Sequence, residues 1–356
     1  MEHTPSNSAR EGVAVFKKLV GFVAILFVVL AVGWLAMKRD NIPYTTLESA
    51  YANNASEFMT LEDGLKVHYR DEGLIDGPTL ILVHGFSASL HTWEAWVKDL
   101  KKDHRVISLD LPAHGLTRAP ENYPVGIEQF VKVVDEVSDY LRAGKFTLVG
   151  SSMGGNTAWE FALAHPEKLE GLVLVGASGW PESEEDAENE PFVFKLLANP
   201  TARWLMKDLD MTSLIRGGLK DSFVDQNFVT DEMVARYASL SRAPGHRAAI
   251  LRMISDPNGR RMASETLMAK IYPPTLVLHG DQDNLVPVEG GQKFAAFIPE
   301  AEIIVYESVG HLPQEEVADR SLSDLRAFLT DRVRFAVEFE EDDDASKAAE
   351  LNSAPH

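Results

Sequence analysis

From Glu57 onward, the sequence alternates short, continuous apolar runs with longer stretches of helical apolar spacing. Continuous apolar runs of strand length are typical of parallel strands buried on both faces. The alternation therefore predicts an α/β fold, with a mostly parallel eight-stranded sheet between two layers of helices. The predicted strands are 58–62, 66–71, 79–84, 105–109, 146–150, 172–175, 275–279 and 303–306, the first two forming an antiparallel hairpin. The predicted helices are 92–102, 127–143, 153–165, 289–297 and 317–336.

Residues 179–270 interrupt this alternation, because they show helical apolar spacing and no strand pattern. An insertion of this kind into a parallel sheet predicts a helical cap over one end of the sheet. The core domain is then expected to comprise residues 57–178 and 271–337. Residues 41–56 are expected to form a polar linker, and residues 338–356 an acidic, disordered tail.

Composition limits the possible chemistry and partners. The absence of cysteine excludes disulfides, thiolate metal sites and a cysteine nucleophile. The formal net charge is −20, of which residues 181–191 and 338–356 contribute −6 each. The remaining acidic balance argues against a nucleic-acid partner. No metal-ligand cluster or phosphate-binding loop is apparent, so no cofactor is expected, and the sequence leaves the oligomeric state open.

An uncharged run of 19 residues, 19–37, precedes the core. About 20 apolar residues in a helix cross a bilayer, so this run predicts one transmembrane helix and assigns residues 1–40 to a tail and membrane anchor. Basic pairs flank it, at Lys17-Lys18 and Lys38-Arg39, and Trp34 lies near one end. The alternative is a cleaved signal peptide with a small-x-small site at Ala31-Val32-Gly33.

The distribution of basic residues around this run bears on orientation. The side before it carries one more basic residue than the side after it. The positive-inside rule then places the N-terminus in the cytoplasm and the folded domain on the extracytoplasmic side.

Residues 150–154, GSSMG, match the G-x-S-x-G pattern between a predicted strand and a predicted helix. In that setting the serine lies on a sharp turn, and the glycines are needed because a side chain at either position would clash. Ser152 has glycine two residues before and two residues after it, whereas Ser151 does not. The pattern therefore predicts Ser152 as a nucleophile.

A serine hydroxyl requires a general base and an acid that orients it. His311 follows the last predicted strand, where a loop can present an imidazole at the strand ends. Asp283 follows the strand 275–279 and is the predicted acid; Asp281 is the rival, with a turn-capping role as its alternative. The chain order of serine, aspartate and histidine is the order expected for this motif.

An oxyanion needs backbone N–H donors aimed at it. Met153 follows the nucleophile at a predicted helix N-terminus, and Phe86 follows the strand 79–84. Gly85 allows the backbone to approach closely. These two N–H groups are therefore the predicted oxyanion hole.

Together these segments resemble the α/β-hydrolase superfamily over roughly residues 58–336. The motifs that carry the resemblance are HGF at 84–86, DLPAHG at 110–115, GSSMGG at 150–155, GDQDNLVP at 280–287 and GHLPQEE at 310–316. The resemblance implies Ser152 as nucleophile, Asp283 as acid and His311 as base. It implies an oxyanion hole formed by Phe86 and Met153.

By the same resemblance, His84, Asp110 and Glu316 are scaffold residues that fix loops. Ala113 departs from the family pattern, which commonly has glycine there, and this bears on the local loop shape. An aspartate would occupy the position of Ser152 in haloalkane dehalogenases and epoxide hydrolases, so the serine argues against those activities.

The membrane segment, HGFSAS and GSSMGG are most similar to membrane-anchored monoacylglycerol lipases and carboxylesterases. This predicts a serine ester hydrolase that cleaves apolar short-to-medium-chain acyl esters. Residues 150–154 and the helix that follows them also resemble the meta-cleavage C–C bond hydrolases. Hydrolysis of a C–C bond is therefore the alternative activity. A third possibility is a non-catalytic, membrane-tethered binding protein on the same fold.

Apolar residues in and beside the cap are the candidates for acyl-chain binding. Equally, such residues can pack the cap onto the core. They are Trp180, Phe192, Phe194 and Met206, with Trp204 and Leu205 beside them.

Overall fold

The computed structural model describes residues 7–181, 199–255 and 261–333. Eight strands form one sheet in the order β1-β2-β4-β3-β5-β6-β7-β8, antiparallel at β1/β2 and β2/β4 and parallel elsewhere. The predicted fold class is therefore confirmed. The strands are β1 (Ser56–Thr60), β2 (Lys66–Gly73), β3 (Thr79–Val83), β4 (Arg105–Leu109), β5 (Phe146–Ser151), β6 (Leu169–Val175), β7 (Thr275–Gly280) and β8 (Glu302–Tyr306).

Helices cover both faces of this sheet, as the continuous apolar strands require. In β3, Ile81 and Val83 face one layer, and Leu80 and Leu82 face the other. The first layer is formed by α4 (Ile127–Tyr140), α5 (Met153–Ala164) and α11 (Val288–Phe297). The second is formed by α3 (Glu94–Leu100) and α13 (Ala318–Phe328), which is preceded by the short helix α12 (Pro313–Glu316).

The described part of 179–270 contains helices and no strand. These helices are α6 (Pro200–Met206), α7 (Thr212–Ser222), α8 (Asp231–Ser241), α9 (His246–Ile254) and α10 (Glu265–Met268). Most of the acidic segment 181–191 and the tail 338–356 lie outside the described residues.

The segment 41–56 differs from the linker that the sequence predicts, because it contains a helix, α2 (Tyr44–Tyr51). Leu47 of α2 is fully buried in a cluster with Leu116, Leu240 and Ala243. The Tyr44 hydroxyl donates to the Thr117 carbonyl at 3.2 Å. This helix packs between the core and α8. One buried apolar side chain, in contact with residues distant in the chain, therefore stabilises it.

The N-terminal helix α1 (Asn7–Met37) contains an apolar stretch, Phe16–Met37, with a mean hydropathy of 2.8 and no burial in the structure. Its length and composition suit a membrane span, although a signal sequence passes the same test. Because it is unburied, it is not a core helix of the domain.

Candidate active site

Ser152 lies on the sharp turn between β5 and α5, with φ 55° and ψ −116°. A Cβ on Gly150 would lie 2.1 Å from the Gly154 carbonyl oxygen, and a Cβ on Gly154 would lie 2.2 Å from the Val83 carbonyl oxygen. Only glycine at both positions therefore permits this turn. The strained conformation holds the Ser152 side chain at the carboxyl edge of the sheet.

The neighbouring Ser151 has a different environment. Its side chain is fully buried, and its hydroxyl accepts a hydrogen bond from Gln314 Nε2 at 3.2 Å. The adjacent serine is thus a structural residue of the core.

Asp283 and His311 are hydrogen-bonded at the same edge of the sheet, where His311 Nδ1 donates to Asp283 Oδ2 at 2.7 Å. Asp283 Oδ1 accepts the N–H groups of Leu285 and Val286 at 2.8 and 2.9 Å. With Nδ1 carrying the proton, Nε2 of His311 is left as the basic nitrogen. The Ser152 hydroxyl makes no hydrogen bond with the described residues. A hydrogen bond between a nucleophile and its base often forms only when substrate binds.

The electrostatic environment keeps Asp283 ionised. Burial raises the pKa of Asp283, but hydrogen bonds from His279 and His311 outweigh it and hold that pKa well below its usual range. His279 Nε2 lies 3.2 Å from Asp283 Oδ2 and also donates to the Val286 carbonyl at 2.9 Å. No sequence motif predicts this second histidine beside the carboxylate.

Asp281, the rival acid, binds the backbone of a neighbouring loop. Its Oδ1 accepts the N–H of Ser308 at 2.7 Å and lies 3.4 Å from the N–H of Val309. It contacts the backbone of the loop that leads to His311 and not the imidazole.

Two backbone N–H groups are available next to Ser152. Met153 is the first residue of α5, so its N–H has no partner within the helix. The Phe86 N–H donates to no described residue. A Cβ on Gly85 would lie 3.0 Å from Ser152 Cβ, which shows how closely this loop approaches Ser152.

A buried network of His84 and Asp110 holds the loop that carries Phe86. His84 Nδ1 donates to the Gly85 carbonyl at 2.7 Å, and its Nε2 accepts the Leu111 N–H at 3.0 Å. Burial raises the pKa of Asp110, but the hydrogen bond from His68 and two nearby imidazoles hold it far below its usual range. His84 and Asp110 both form hydrogen bonds with backbone groups of nearby loops, as expected of residues that fix those loops.

Ala113 has a positive φ of 66°. The turn therefore keeps the left-handed conformation that glycine adopts more easily.

Glu316 connects the cap to the loop of His311. Its Oε1 accepts the N–H groups of Val224 and Asp225, both at 2.8 Å, and its Oε2 accepts the Gly310 N–H at 2.7 Å. The His311 N–H donates to the Ser222 carbonyl at 2.8 Å. The sequence suggests a loop-fixing role for Glu316, but its contact with the cap is visible only in the structure.

Replacing Glu316 with glutamine is expected to lower kcat by about tenfold to a hundredfold, because a small displacement of a catalytic group costs that much. The amide can accept the N–H pair of Val224 and Asp225, but its NH₂ group would then face the Gly310 N–H. Steady-state kinetics and thermal melts measure the effect. Glu307→Gln, at an exposed position, is the matched control. A normal kcat in Glu316→Gln would contradict the positioning role.

Glu315 is a second carboxyl in this region and accepts a hydrogen bond from Thr92 at 2.5 Å. Burial raises the pKa of Glu315 to about 7, against the opposing effects of Thr92 and Arg236. The folded protein therefore holds this proton more tightly than the unfolded chain does. Its stabilising contribution is complete below pH 4.5 and is lost as the pH rises to about 7.

Glu315→Gln removes this titration, so it is expected to stabilise the protein by about 2–3 kcal/mol at pH 8 and to have little effect at pH 4.5. The corresponding rise in melting temperature at pH 8 is roughly 4–10 °C. Melts of the variant and of Glu307→Gln across this pH range measure it. An equal shift at both pH values would contradict a titrating Glu315.

The predicted substrate residues occupy different environments. Trp180 is half-buried and packs against Phe294 and Phe297 of α11. Met206 is half-buried at the end of α6, and Trp204 is exposed. Phe192 and Phe194 lie outside the described residues.

A cavity of about 10 Å³ lies between the loop that carries Phe86 and the helices α8 and α9 of the cap. Its lining residues are Ser87, Ala88, Ala113, His114, Gly115, Leu240, Ser241, His246 and Ile250. Burial lowers the pKa of His114 to about 3 and also lowers the pKa of His246. The lining is therefore uncharged at neutral pH.

Within residues 7–181, 199–255 and 261–333, no group of three His, Asp or Glu side chains is arranged to hold a metal ion.

The comparisons with known proteins agree with this geometry. A family model described as alpha/beta hydrolase fold matches residues 78–318, more than half of the chain. A 2-hydroxy-6-oxononadienedioate/2-hydroxy-6-oxononatrienedioate hydrolase from Comamonas testosteroni is 30% identical over 280 residues, covering 75% of this chain and 93% of that protein.

Solved structures are also similar. A thermophilic esterase from Thermogutta terrifontis has a TM-score of 0.62 at 26% identity and covers 77% of this chain and 97% of its own. A bacterial membrane phospholipase A has a TM-score of 0.68 at 24% identity and covers 89% of this chain and 99% of its own. At 24% identity, the similarity to the phospholipase structure shows a shared fold and nothing about activity.

Proposed function

We propose that this chain, which belongs to the α/β-hydrolase family, is a serine hydrolase whose Ser152 hydroxyl attacks a substrate carbonyl carbon. The observation that carries the proposal is the 2.7 Å bond between His311 and Asp283 at the edge of the sheet where the strained Ser152 turn lies. Free N–H groups of Phe86 and Met153 adjoin that turn. A base, its orienting acid, a nucleophile and an oxyanion hole are the requirements of acyl transfer.

In the first step, Ser152 Oγ forms a bond to the carbonyl carbon and its proton passes to His311 Nε2. The carbonyl electron pair moves onto oxygen, where the N–H groups of Phe86 and Met153 stabilise the negative charge. Asp283 stabilises the imidazolium by accepting the Nδ1 proton. The bond to the leaving group then breaks, and His311 gives its proton to that group.

Water completes the cycle. It attacks the acyl-enzyme carbonyl while His311 accepts its proton, and collapse of the second tetrahedral intermediate returns the proton to Ser152 Oγ. The leaving atom is oxygen for an ester and carbon for a C–C bond cleaved next to a carbonyl. The same residues therefore support both reactions.

The comparisons support C–C bond hydrolysis better than ester hydrolysis, which is the main prediction from the sequence. The name of the Comamonas testosteroni relative specifies a hydroxy-oxo dienedioate substrate. We therefore propose a hydroxy-oxo dienoate-type compound as one candidate substrate class.

A specific observation favours an ester as the second candidate. The structure of a thermophilic esterase is similar to this chain at 26% identity, with a TM-score of 0.62. The pair of His311 and Asp283 beside Ser152 suits transfer of the acyl group of an ester. We therefore propose acyl esters of short to medium length as the second candidate substrates.

A substrate panel tests the proposal. The full-length chain in detergent is assayed with p-nitrophenyl esters from acetyl to palmitoyl and with a 2-hydroxy-6-oxodienoate, using product chromatography for both. Labelling by a fluorophosphonate at Ser152 is expected in either case. Absence of turnover and of labelling in a folded protein would overturn the proposal and favour a binding protein on the same fold.

We also propose that α1 is retained as a membrane anchor, with the folded domain on the extracytoplasmic side. The small-x-small site, Ala31-Val32-Gly33, lies inside a helix that continues to Met37. The next residue, Trp34, is hydrogen-bonded to the cap at Leu205. Both observations support retention, and protease accessibility of the domain in spheroplasts tests the orientation.

A further inference from the structure

The end of α1 is hydrogen-bonded to the cap along a short stretch of backbone. Trp34 Nε1 donates to the Leu205 carbonyl at 2.8 Å. The Asp210 N–H donates to the Met37 carbonyl at 2.9 Å, and the Arg39 N–H donates to the Asp208 carbonyl at 2.7 Å. Residues 34–39, at the end of the apolar helix, are therefore hydrogen-bonded to residues 205–210 of the cap.

Two cap arginines extend this attachment. Arg247 Nη2 donates to the Arg39 carbonyl at 2.9 Å, and Arg242 Nε and Nη2 donate to the Asp40 carbonyl at 3.0 and 2.8 Å. Arg39 also forms a 3.0 Å ion pair with Asp210. These contacts leave no free linker between α1 and the cap, so the direction of α1 determines which face of the cap adjoins the membrane.

These contacts bring α6 alongside the last turn of α1. Trp34 lies one turn before the end of that helix, and its partner Leu205 belongs to α6. Trp204 is 62% exposed and Leu205 is 41% exposed. Large apolar side chains with this exposure, at the level where an apolar helix ends, are typical of the membrane interface.

The charges around these residues suit an anionic lipid surface. Asp210 is paired with Arg39, and Asp208 lies 3.6 Å from Arg247. Lys38 and Lys207 form no ion pair with any described residue. Lysines beside exposed apolar side chains can reach lipid headgroups while their stems contact acyl chains.

We propose that α6 is a second membrane-contact surface, in which Trp204 and Leu205 enter the headgroup region of an anionic bilayer beside the anchor. The proposal rests on the proposed retention of α1 as a transmembrane helix. It fixes the cap between the bilayer and the core, with one face held against lipid. The core then has no freedom to turn another face toward the membrane.

The absence of cysteine from the chain permits a direct test. The full-chain variants Trp204→Cys, Ile75→Cys and Phe27→Cys are each labelled with a nitroxide and reconstituted into phosphatidylcholine/phosphatidylglycerol vesicles. Ile75 is the matched control, because it is 63% exposed but lies before β3, at the opposite end of the parallel strands from the cap. Phe27, 72% exposed in the middle of the apolar stretch, is the reference for the hydrocarbon.

Accessibility to oxygen and to a water-soluble nickel complex gives the depth of each label. We expect the label at 204 to be at least fivefold less accessible to nickel than the label at 75, and the label at 27 to be deeper than both. Equal nickel accessibility at 204 and 75, with 27 in the hydrocarbon, would overturn the proposal and leave the anchor in place. Exposure of 27 to nickel would overturn the anchor and the proposal together. Since no turnover is measured, catalytic failure cannot be mistaken for either result.

Discussion

Replacing Ser152 with alanine is expected to lower kcat by about 10⁵- to 10⁶-fold, whichever bond the enzyme cleaves. The variant loses the oxygen that forms the acyl-enzyme, while His311, Asp283 and the free N–H groups remain in place. The alanine keeps the Cβ that the turn already accommodates at φ 55°, so folding should be preserved. Steady-state kinetics on the active substrate, with thermal melts of both proteins, measure the effect.

Ser151→Ala is the matched control, because the same atom is removed one residue earlier in the chain. Ser151 Oγ contacts Gln314 in the core, so this variant is expected to lose stability by about 1–2 kcal/mol and to keep kcat within a few-fold. A Ser152→Ala protein with a tenth of normal activity would contradict the assigned nucleophile. Equal losses in both variants would indicate a damaged turn.

The features that sequence alone could predict are those set by local chemistry. The strand β3 has four consecutive apolar residues, 80–83, all buried, so its place in the middle of a sheet follows from its composition. Glycine is required at 150 and 154 because a Cβ at either position would lie only 2.1 or 2.2 Å from a backbone carbonyl oxygen. The structure of such a short segment can be predicted from its own residues, because its neighbours in the chain determine it.

The helix α2 shows where local patterns fail. Its eight residues bury only Leu47, and the partners Leu116 and Leu240 are far away in the chain. A mainly polar segment of this kind has no amphipathic period that distinguishes it from a linker. The packing of distant elements, and not its own composition, makes it helical.

The sequence motifs also cannot predict which bond is cleaved. The roles proposed for Ser152, Asp283 and His311 specify attack on a carbonyl, but residues around the site determine which leaving group it accepts. The cap helices α8 and α9 lie next to the loop that follows Phe86, although these segments are distant in sequence. This explains why the elbow sequence resembles both ester and C–C bond hydrolases.

Replacing Asp283 with asparagine is expected to lower kcat by about 10³- to 10⁴-fold with little loss of fold. The asparagine oxygen can still accept the N–H groups of Leu285 and Val286. Its NH₂ group then occupies the position of Oδ2, where it faces His311 Nδ1 as a donor. His311 must turn its lone pair toward this group, which moves the ring proton to Nε2 and removes the base that Ser152 needs.

Asp281→Asn separates this effect from a general disturbance of the loop. Its remaining oxygen can accept the Ser308 N–H, so kcat is expected to stay within about threefold of normal, as for most substitutions that keep their contacts. Because both variants remove one negative charge from residues 281–283, a difference of several hundredfold between them must arise from the contact with His311. The reverse order of activities would transfer the role of the acid to Asp281.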